Sequence, residues 1–350
     1  MRLLGFLATA SLAACAGAPP AAPPAPPPPA PEREAPPPPP PPKRAPASPE
    51  ALEARMDRIA KDTLVRMVGA GAVPQLDYAK ELEETKAALP KARFEELEVP
   101  SGGLRLKAWL VKPPEGTAIR ATVVLLHPWQ SNRAFMVKQF GFLLEHGYQL
   151  FVPDARSNLF IGHGEVFNAY LGEDMGDLDQ ALAVLKTHGE AGPLVAMGCA
   201  WGGLKAILLA AEHPEVKAVV SDAPTFHYGL ILVDYMNKMP PEARGDWNLI
   251  NRFIDKVSNL LAQRLGYDIQ RFDPRDAVTH LAGRPLLIAH GEDDTFVPIA
   301  VSEEIFAAAQ EPKTFLRGEK FGHCDGMHQS PGRYIGGVLV FLERQLAAAP

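Results

Sequence analysis

Two residues near the C-terminal end have the types and the spacing for acid–base chemistry. Asp294 lies in "HGEDDTFVP" (290–298) and His323 in "GEKFGHCDG" (318–326). A carboxylate that orients an imidazole, and an imidazole that takes a proton from a nucleophile, are two of the three groups that acyl transfer needs. The place of the third is marked as well. "GCAWGG" (198–203) follows the apolar "PLVAM" and precedes "LKAILLAA", so a buried strand turns sharply into a helix there. Enzymes with such a turn carry Ser or Cys at the centre of G-x-nucleophile-x-G. Here the central residue is Ala200, whose methyl group cannot attack a carbonyl.

The elements that position these residues follow from the hydrophobic pattern. "FEELEVPSGGLRLKAWLVKP" reads as a hairpin turning at Ser101-Gly102-Gly103. Strands are expected at "TVVLLH", "YQLFVPD", "LVAMG", "VKAVVSD", "RPLLIAHG" and "KTFLRG". Between them fall helical stretches, among them "AFMVKQFGFLLEHG", "EDMGDLDQALAVLKTHG" and one over Ile299 to Gln310; a last helix covers Arg333 to Ala347. Alternating strands and helices imply an α/β fold, a mostly parallel central sheet with helices on both faces. In such a sheet a site forms at the C-terminal strand ends, where His127, Asp154, Ala200, Asp222 and His290 fall. The region from about 224 to 275 breaks the alternation with two helical stretches and reads as a lid. Tyr228, Met236, Met239 and Trp247 are its candidates for lining a pocket, against the plainer role of packing the lid down.

Taken together, "HPWQSNR" (127–133), "GCAWGG", "HGEDDTFVP" and "GEKFGHCDG" resemble the α/β-hydrolase superfamily, in its lidded esterase and serine peptidase-like branch. The order nucleophile, acid, histidine is the one that fold uses. The resemblance covers about residues 92 to 350. It implies Asp294 as acid, His323 as base, Ala200 at the nucleophile position, and an oxyanion hole from the backbone N–H groups of Trp129 and Trp201. Relatives usually have Gly where Pro128 stands, and proline has no N–H to donate. The histidine loop and the elbow are neighbours in this fold, which leaves three roles for Cys199: a catalytic thiol, a disulfide partner of Cys324, or an inert buried cysteine. Asp154-Ala155-Arg156 falls where relatives hold a loop, and His163 in a glycine-rich turn. The chemistry calls for no cofactor, and His323, Asp325 and His328 make only a weak metal pattern.

The N-terminal stretch has a different logic. Arg2 precedes an apolar run from Leu3 to Ala14, the form of a signal peptide over residues 1–14 and too short to span a bilayer. "Leu12-Ala13-Ala14-Cys15" resembles the bacterial lipobox, in which Cys15 is lipidated. Half of the 36 prolines lie between Pro19 and Pro49, so residues 15–49 read as a polyproline spacer. Ser48-Pro49 then opens a pair of helices over 50–90 ahead of a hydrolase-like domain over 91–350. A net charge of −6 gives no footprint for nucleic acid. The expectation is a cell-envelope lipoprotein, on the outer membrane facing the periplasm or the surface, held through its lipid anchor. Three functions follow. One is a hydrolase-lineage protein that binds a small acyl or ester-like ligand, a peptide or a partner without turnover. The second is a working ester or peptide hydrolase using Cys199 or another nucleophile. The third is an envelope scaffold.

Overall fold

The computed structural model describes residues 48–68, 79–129, 131–156, 171–189 and 192–347. Cys15, most of the proline-rich spacer and His163 lie outside them. Eight strands form one sheet: β1 (Arg93–Ser101), β2 (Leu104–Lys112), β3 (Ala121–Leu126), β4 (Tyr148–Pro153), β5 (Leu194–Cys199), β6 (Val216–Asp222), β7 (Leu286–Gly291) and β8 (Lys313–Gly318). Their order is β1-β2-β4-β3-β5-β6-β7-β8. The β1–β2 and β2–β4 pairs are antiparallel, and the rest are parallel. The α/β reading of the sequence therefore holds, with the hairpin turning at the expected glycines.

Period-two alternation divides the core. Val123, Leu125, Val195, Met197, Leu287 and Ala289 face one side, while Val124, Leu126, Leu194, Ala196, Leu286 and Ile288 face the other. Because both faces are covered, β3, β4, β5 and β7 are buried along their whole length and read as continuous apolar runs. The first face packs on residues 133–145 and the C-terminal helix; the second packs on the helices that follow β4, β5 and β7.

Helices α1 (Pro49–Val68) and α2 (Ala79–Ala88) precede the sheet. The expected helix after β3 is instead a 3-10 segment over Arg133–Gln139 leading into α3 (Phe140–Glu145). Its start is fixed from outside the helix. Asn132 Oδ1 accepts from the Ala134 N–H at 2.9 Å, and Asp154 Oδ1 accepts from the Arg133 N–H at 2.8 Å. Then come α4 (Leu171–His188) and α5 (Trp201–Glu212). The region expected as a lid holds α6 (Gly229–Lys238), α7 (Trp247–Leu265) and a short α8 (Pro274–Ala277). Asp246 caps α7 by accepting from the N–H groups of Asn248 and Leu249, and Gly266 ends it at φ 82°. The chain closes with α9 (Ile299–Ala308), a four-residue α10 (Gly326–Gln329) and α11 (Pro331–Ala347).

The first helix lies across α6 and α7. Ser48 Oγ caps it by accepting from the Ala51 N–H at 3.2 Å. Met56, Ile59 and Ala60 join the same core cluster as Tyr235, Phe253 and Val257. Around that contact Glu53 pairs with Arg252 and Lys256, Asp57 pairs with Lys256, and the Arg55 guanidinium donates to the Lys238 carbonyl. Exposed ion pairs contribute at most about 1 kcal/mol, whereas a buried methionine is worth about 2–5 kcal/mol against alanine. Met56→Ala should therefore lower stability in urea unfolding by about 2–5 kcal/mol, and Lys256→Ala by less than about 1 kcal/mol. The reverse ranking would mean that charge, not burial, holds α1 on the lid.

Candidate functional site

Ala200 stands between the end of β5 and the start of α5 at φ 52°, ψ −113°. An L-residue loses about 1 kcal/mol or more in such a conformation, because its Cβ crowds the neighbouring carbonyl. The turn is possible only because three neighbours lack side chains. A Cβ on Gly198 would lie 2.1 Å from the Gly202 carbonyl oxygen, and one on Gly202 would lie 2.0 Å from that of Leu126. One on Gly203 would meet Ser221 Oγ at 2.9 Å. The Ala200 N–H donates to the Asp222 carbonyl at 2.8 Å, which ties the elbow to β6. Ala223 and Cys324 also have positive φ, and with Cys199 and Ala200 they form one small buried cluster. Of the four positive-φ non-glycine residues among those described, three are therefore gathered at this point.

Asp294 sits in the loop after β7 with its carboxylate fully buried and held on both oxygens. Oδ1 accepts from the backbone N–H groups of Phe296 and Val297, both at 2.8 Å. Oδ2 accepts from His323 Nδ1 at 2.8 Å and from His290 Nε2 at 3.1 Å. Burial alone would push this carboxyl up. The bonds from His290 and His323, the charge of His323 and the Val297 N–H outweigh it, and the carboxyl is held well below the usual range. His323 spends its Nδ1 on Asp294, so Nε2 is the nitrogen available as a base. The imidazole packs 4.9 Å from the Phe296 ring and lines the same cavity as Ala200.

That cavity measures about 460 Å³ and is also lined by Trp129, Trp201, Phe135 and Cys324. Trp201 is the first residue of α5, where backbone N–H groups have no carbonyl within the helix to bond. Sequence reasoning put Trp129 and Trp201 at one site, and the fold brings both to the cavity. Cys199 is placed differently from a nucleophile. Its sulfur is bonded to that of Cys324 with the Cα atoms 6.0 Å apart. A disulfide sulfur has no thiolate, so the catalytic role considered for Cys199 does not fit this structure. The bridge closes a 125-residue span and pins the histidine loop against the elbow. Lys138 adds a second hold, donating from Nζ to the Cys324 carbonyl at 3.0 Å.

Buried charge supports the site from behind. Arg133 pairs with Asp154 and Glu96 and stacks over Trp109, with its guanidinium carbon 4.6 Å from the ring centroid. Arg156 forks onto Asp177, and Lys205 lies 3.5 Å from Asp174 with both side chains buried. Asp154 thus holds the start of the Arg133–Gln139 segment, and Arg156 ties the end of β4 to α4 and to Ser101. His127 is fully buried beside these cations. Burial first, then the Lys205 charge, keeps it well below its ordinary value and so neutral. Asp325 accepts from His328 and Gln329 at 2.8 Å each, while His323 turns to Asp294. Two residues of the weak metal pattern, Asp325 and His328, therefore pair with each other, and the third, His323, turns away from them.

Comparison with known proteins matches the geometry. A family model for the α/β hydrolase family matches residues 123–335. The chain belongs to the α/β hydrolase family. The Bacillus subtilis protein YqkD, described as uncharacterized, is 22% identical over 268 residues, covering 75% of this chain and 81% of that protein. Among solved structures, the Pyrococcus furiosus esterase Pf2001 superposes with a TM-score of 0.56 at 20% identity, covering 75% of this chain and 94% of the esterase. The acylaminoacyl peptidase of Pyrococcus horikoshii also reaches 0.56 at 17% identity, over 79% of this chain and 45% of the peptidase. At these identities the likeness is one of fold.

Seen as an α/β hydrolase, the chain keeps the elbow, the acid and the histidine and lacks an oxygen at Ala200. Sequence reasoning missed two supports. His290 was placed only at a strand end, yet it is a second donor to Asp294; its Nδ1 meets Ser302 Oγ at 2.6 Å. Tyr334, far along the chain, donates to Asp222 Oδ2 at 2.9 Å beneath the elbow. His290 stands four residues before Asp294 in the same motif, whereas 112 residues separate Tyr334 from Asp222.

Two outcomes are expected. A carboxyl depressed in the folded state stabilises it above the unfolded-state value of about 4, and that stability is lost as pH falls from there. Urea unfolding between pH 7 and pH 3 should show this acid loss in the wild type and a shallower one in Asp294→Asn; parallel curves would contradict the assignment. Replacing Cys199 and Cys324 together by Ala should lower stability by about 2–5 kcal/mol in the same assay.

Proposed function

We propose that this protein is a membrane-tethered member of the α/β hydrolase family that binds a small acyl or ester-like ligand in its retained pocket without turning it over. The observation that carries the reading is the methyl group of Ala200 at an elbow whose strained backbone is intact. Acyl transfer begins when an oxygen or sulfur attacks the carbonyl carbon as the imidazole takes its proton. At Ala200 no such atom exists, and the nearest sulfur, that of Cys199, is bonded to Cys324. What remains is a pocket with an ordered Asp294–His323 pair, a helix N-terminus that favours a partial negative charge, and apolar walls. These groups suit the carbonyl end of an acyl compound. The fold kinship with an esterase and an acylaminoacyl peptidase supports the same substrate class.

The tether is part of the proposal. Lipidation of Cys15 would anchor the chain in the cell envelope, with outer membrane as the preferred site. The proline-rich spacer, at about 3.1 Å per residue, would hold the domain on the order of 100 Å from the bilayer. None of the helices among the described residues is long and apolar enough to cross a membrane. Cys15→Ser should move the protein from the membrane to the soluble fraction. A variant that stays with membranes after a high-salt wash would remove the lipid anchor from the reading.

Catalysis provides the central test. The wild type should barely hydrolyse activated short-chain esters, and with no acyl-enzyme burst, since loss of a triad nucleophile costs about 10^6 in turnover. Ala200→Ser adds one hydroxyl at a turn already shaped for it. That variant should gain esterase activity, and adding His323→Ala should abolish the gain. Burst kinetics in the wild type would overturn the non-catalytic reading.

A further inference from the structure

A second cavity, of about 370 Å³, adjoins the elbow cavity. The two share Thr225, Gly229, Asn237, Phe296 and Val297, so they are compartments of one cleft. The second is walled mainly by apolar side chains of the lid and of the segment from Phe296 to Val301, with Phe226, Leu232, Ile250 and Val301 among them. Four large apolar side chains stand out as exposed among the described residues, and three of them line this compartment: Trp247 (67%), Phe296 (50%) and Met236 (39%). Apolar surface gathered around one opening, rather than scattered, marks a place where an apolar ligand enters.

One charge interrupts this wall. Arg244 is the only ionisable residue of the lining, which has no carboxylate. Its Nε donates to the Met239 carbonyl at 2.9 Å, and this is the hydrogen bond the structure gives its side chain. The two terminal NH2 groups, with four N–H donors between them, have no carboxylate within ion-pair distance among the described residues. A half-buried guanidinium beside an apolar wall is most stable when a planar anion bonds its fork. The anion must be single, because no second cation shares the lining. Size sets the rest. At roughly 30 Å³ for each non-hydrogen atom, the cavity takes about a dozen.

We propose that this compartment binds a medium-chain fatty carboxylate of about ten carbons, its carboxylate on Arg244 and its chain along Leu232, Ile250 and Val301. The proposal rests on the reading that the cleft binds acyl compounds, and it names the form bound: the free acid, which carries the charge, and not the ester, which leaves Arg244 without an anion. Thr225, Thr295 and Asn237 supply the remaining polar groups at the wall.

Titration calorimetry of the purified full chain with decanoate, and with decanol as the uncharged match, tests this. The wild type should bind decanoate saturably and at least about tenfold more tightly than decanol, a difference of about 1.4 kcal/mol. Arg244→Met should bring decanoate down to the level of decanol and leave decanol unchanged, and Arg244→Lys should recover part of the loss. Because Arg244 is partly exposed and makes one backbone hydrogen bond, thermal melting should confirm that the variants are folded. Equal binding of decanoate and decanol, no saturable decanoate binding, or an Arg244→Met variant with wild-type decanoate affinity would each overturn the proposal. None of these results depends on turnover. A wild type that hydrolyses esters with a burst would defeat the non-catalytic reading and leave the Arg244 comparison standing.

Discussion

The backbone at Ala200 passes through a region that L-residues avoid, and the rest of the site is arranged around that passage. Three glycines clear the space for it, each against a backbone or side-chain oxygen that a Cβ would strike. The Asp222 carbonyl holds the Ala200 N–H from β6, and Ala223 and Cys324 take up strained conformations beside it. A turn of this kind has a use when it lifts a side chain into a cavity. Here it lifts a methyl group. The strain is retained because the turn also delivers the start of α5 to the cavity and packs Trp201 and Leu204 into the core. Relaxing it would displace the helix that covers the centre of the sheet.

Asp294 is the electrostatic counterpart of that turn. Its buried carboxylate is stable only because two backbone N–H groups and two imidazoles point at it. In return it fixes the ring of His323 and the loop that carries it. The Cys199–Cys324 bridge then fastens that loop to the end of β5, so acid, base and elbow are held by covalent and charge-assisted contacts at once. Such a site is rigid in the absence of ligand, and rigidity lowers the ordering cost of binding.

The lid region walls one side of the cleft. Gly229 lets α6 begin against Thr225, whose Oγ1 would lie 1.8 Å from a Cβ at that position. The close approach brings Leu232, Met236 and Asn237 over the cleft. The first helix, α1, lies outside α6 and α7 and buries Met56 against them. Helix α1 thus packs on α6 and α7 through apolar contact framed by exposed ion pairs.

Much of this was legible in the sequence. Continuous apolar runs, Gly-bounded turns and helical periodicity give the α/β order because those patterns are local and repeat over several residues. The elbow, Asp294 and His323 are legible for a related reason: each lies in a short motif at a strand end, and their order along the chain is that of the fold. The sequence alone also determined that position 200 offers no nucleophile. Tertiary structure decided what lies between motifs. It joined Cys199 to Cys324 across 125 residues, where the sequence left three roles open. It supplied Tyr334 as the partner of Asp222 across 112 residues. It also placed Arg244 in an apolar compartment bounded by Phe296 and Val301. Long-range pairs of this kind leave no periodic trace, because their energy depends on distance in space and burial, and spacing along the chain fixes neither.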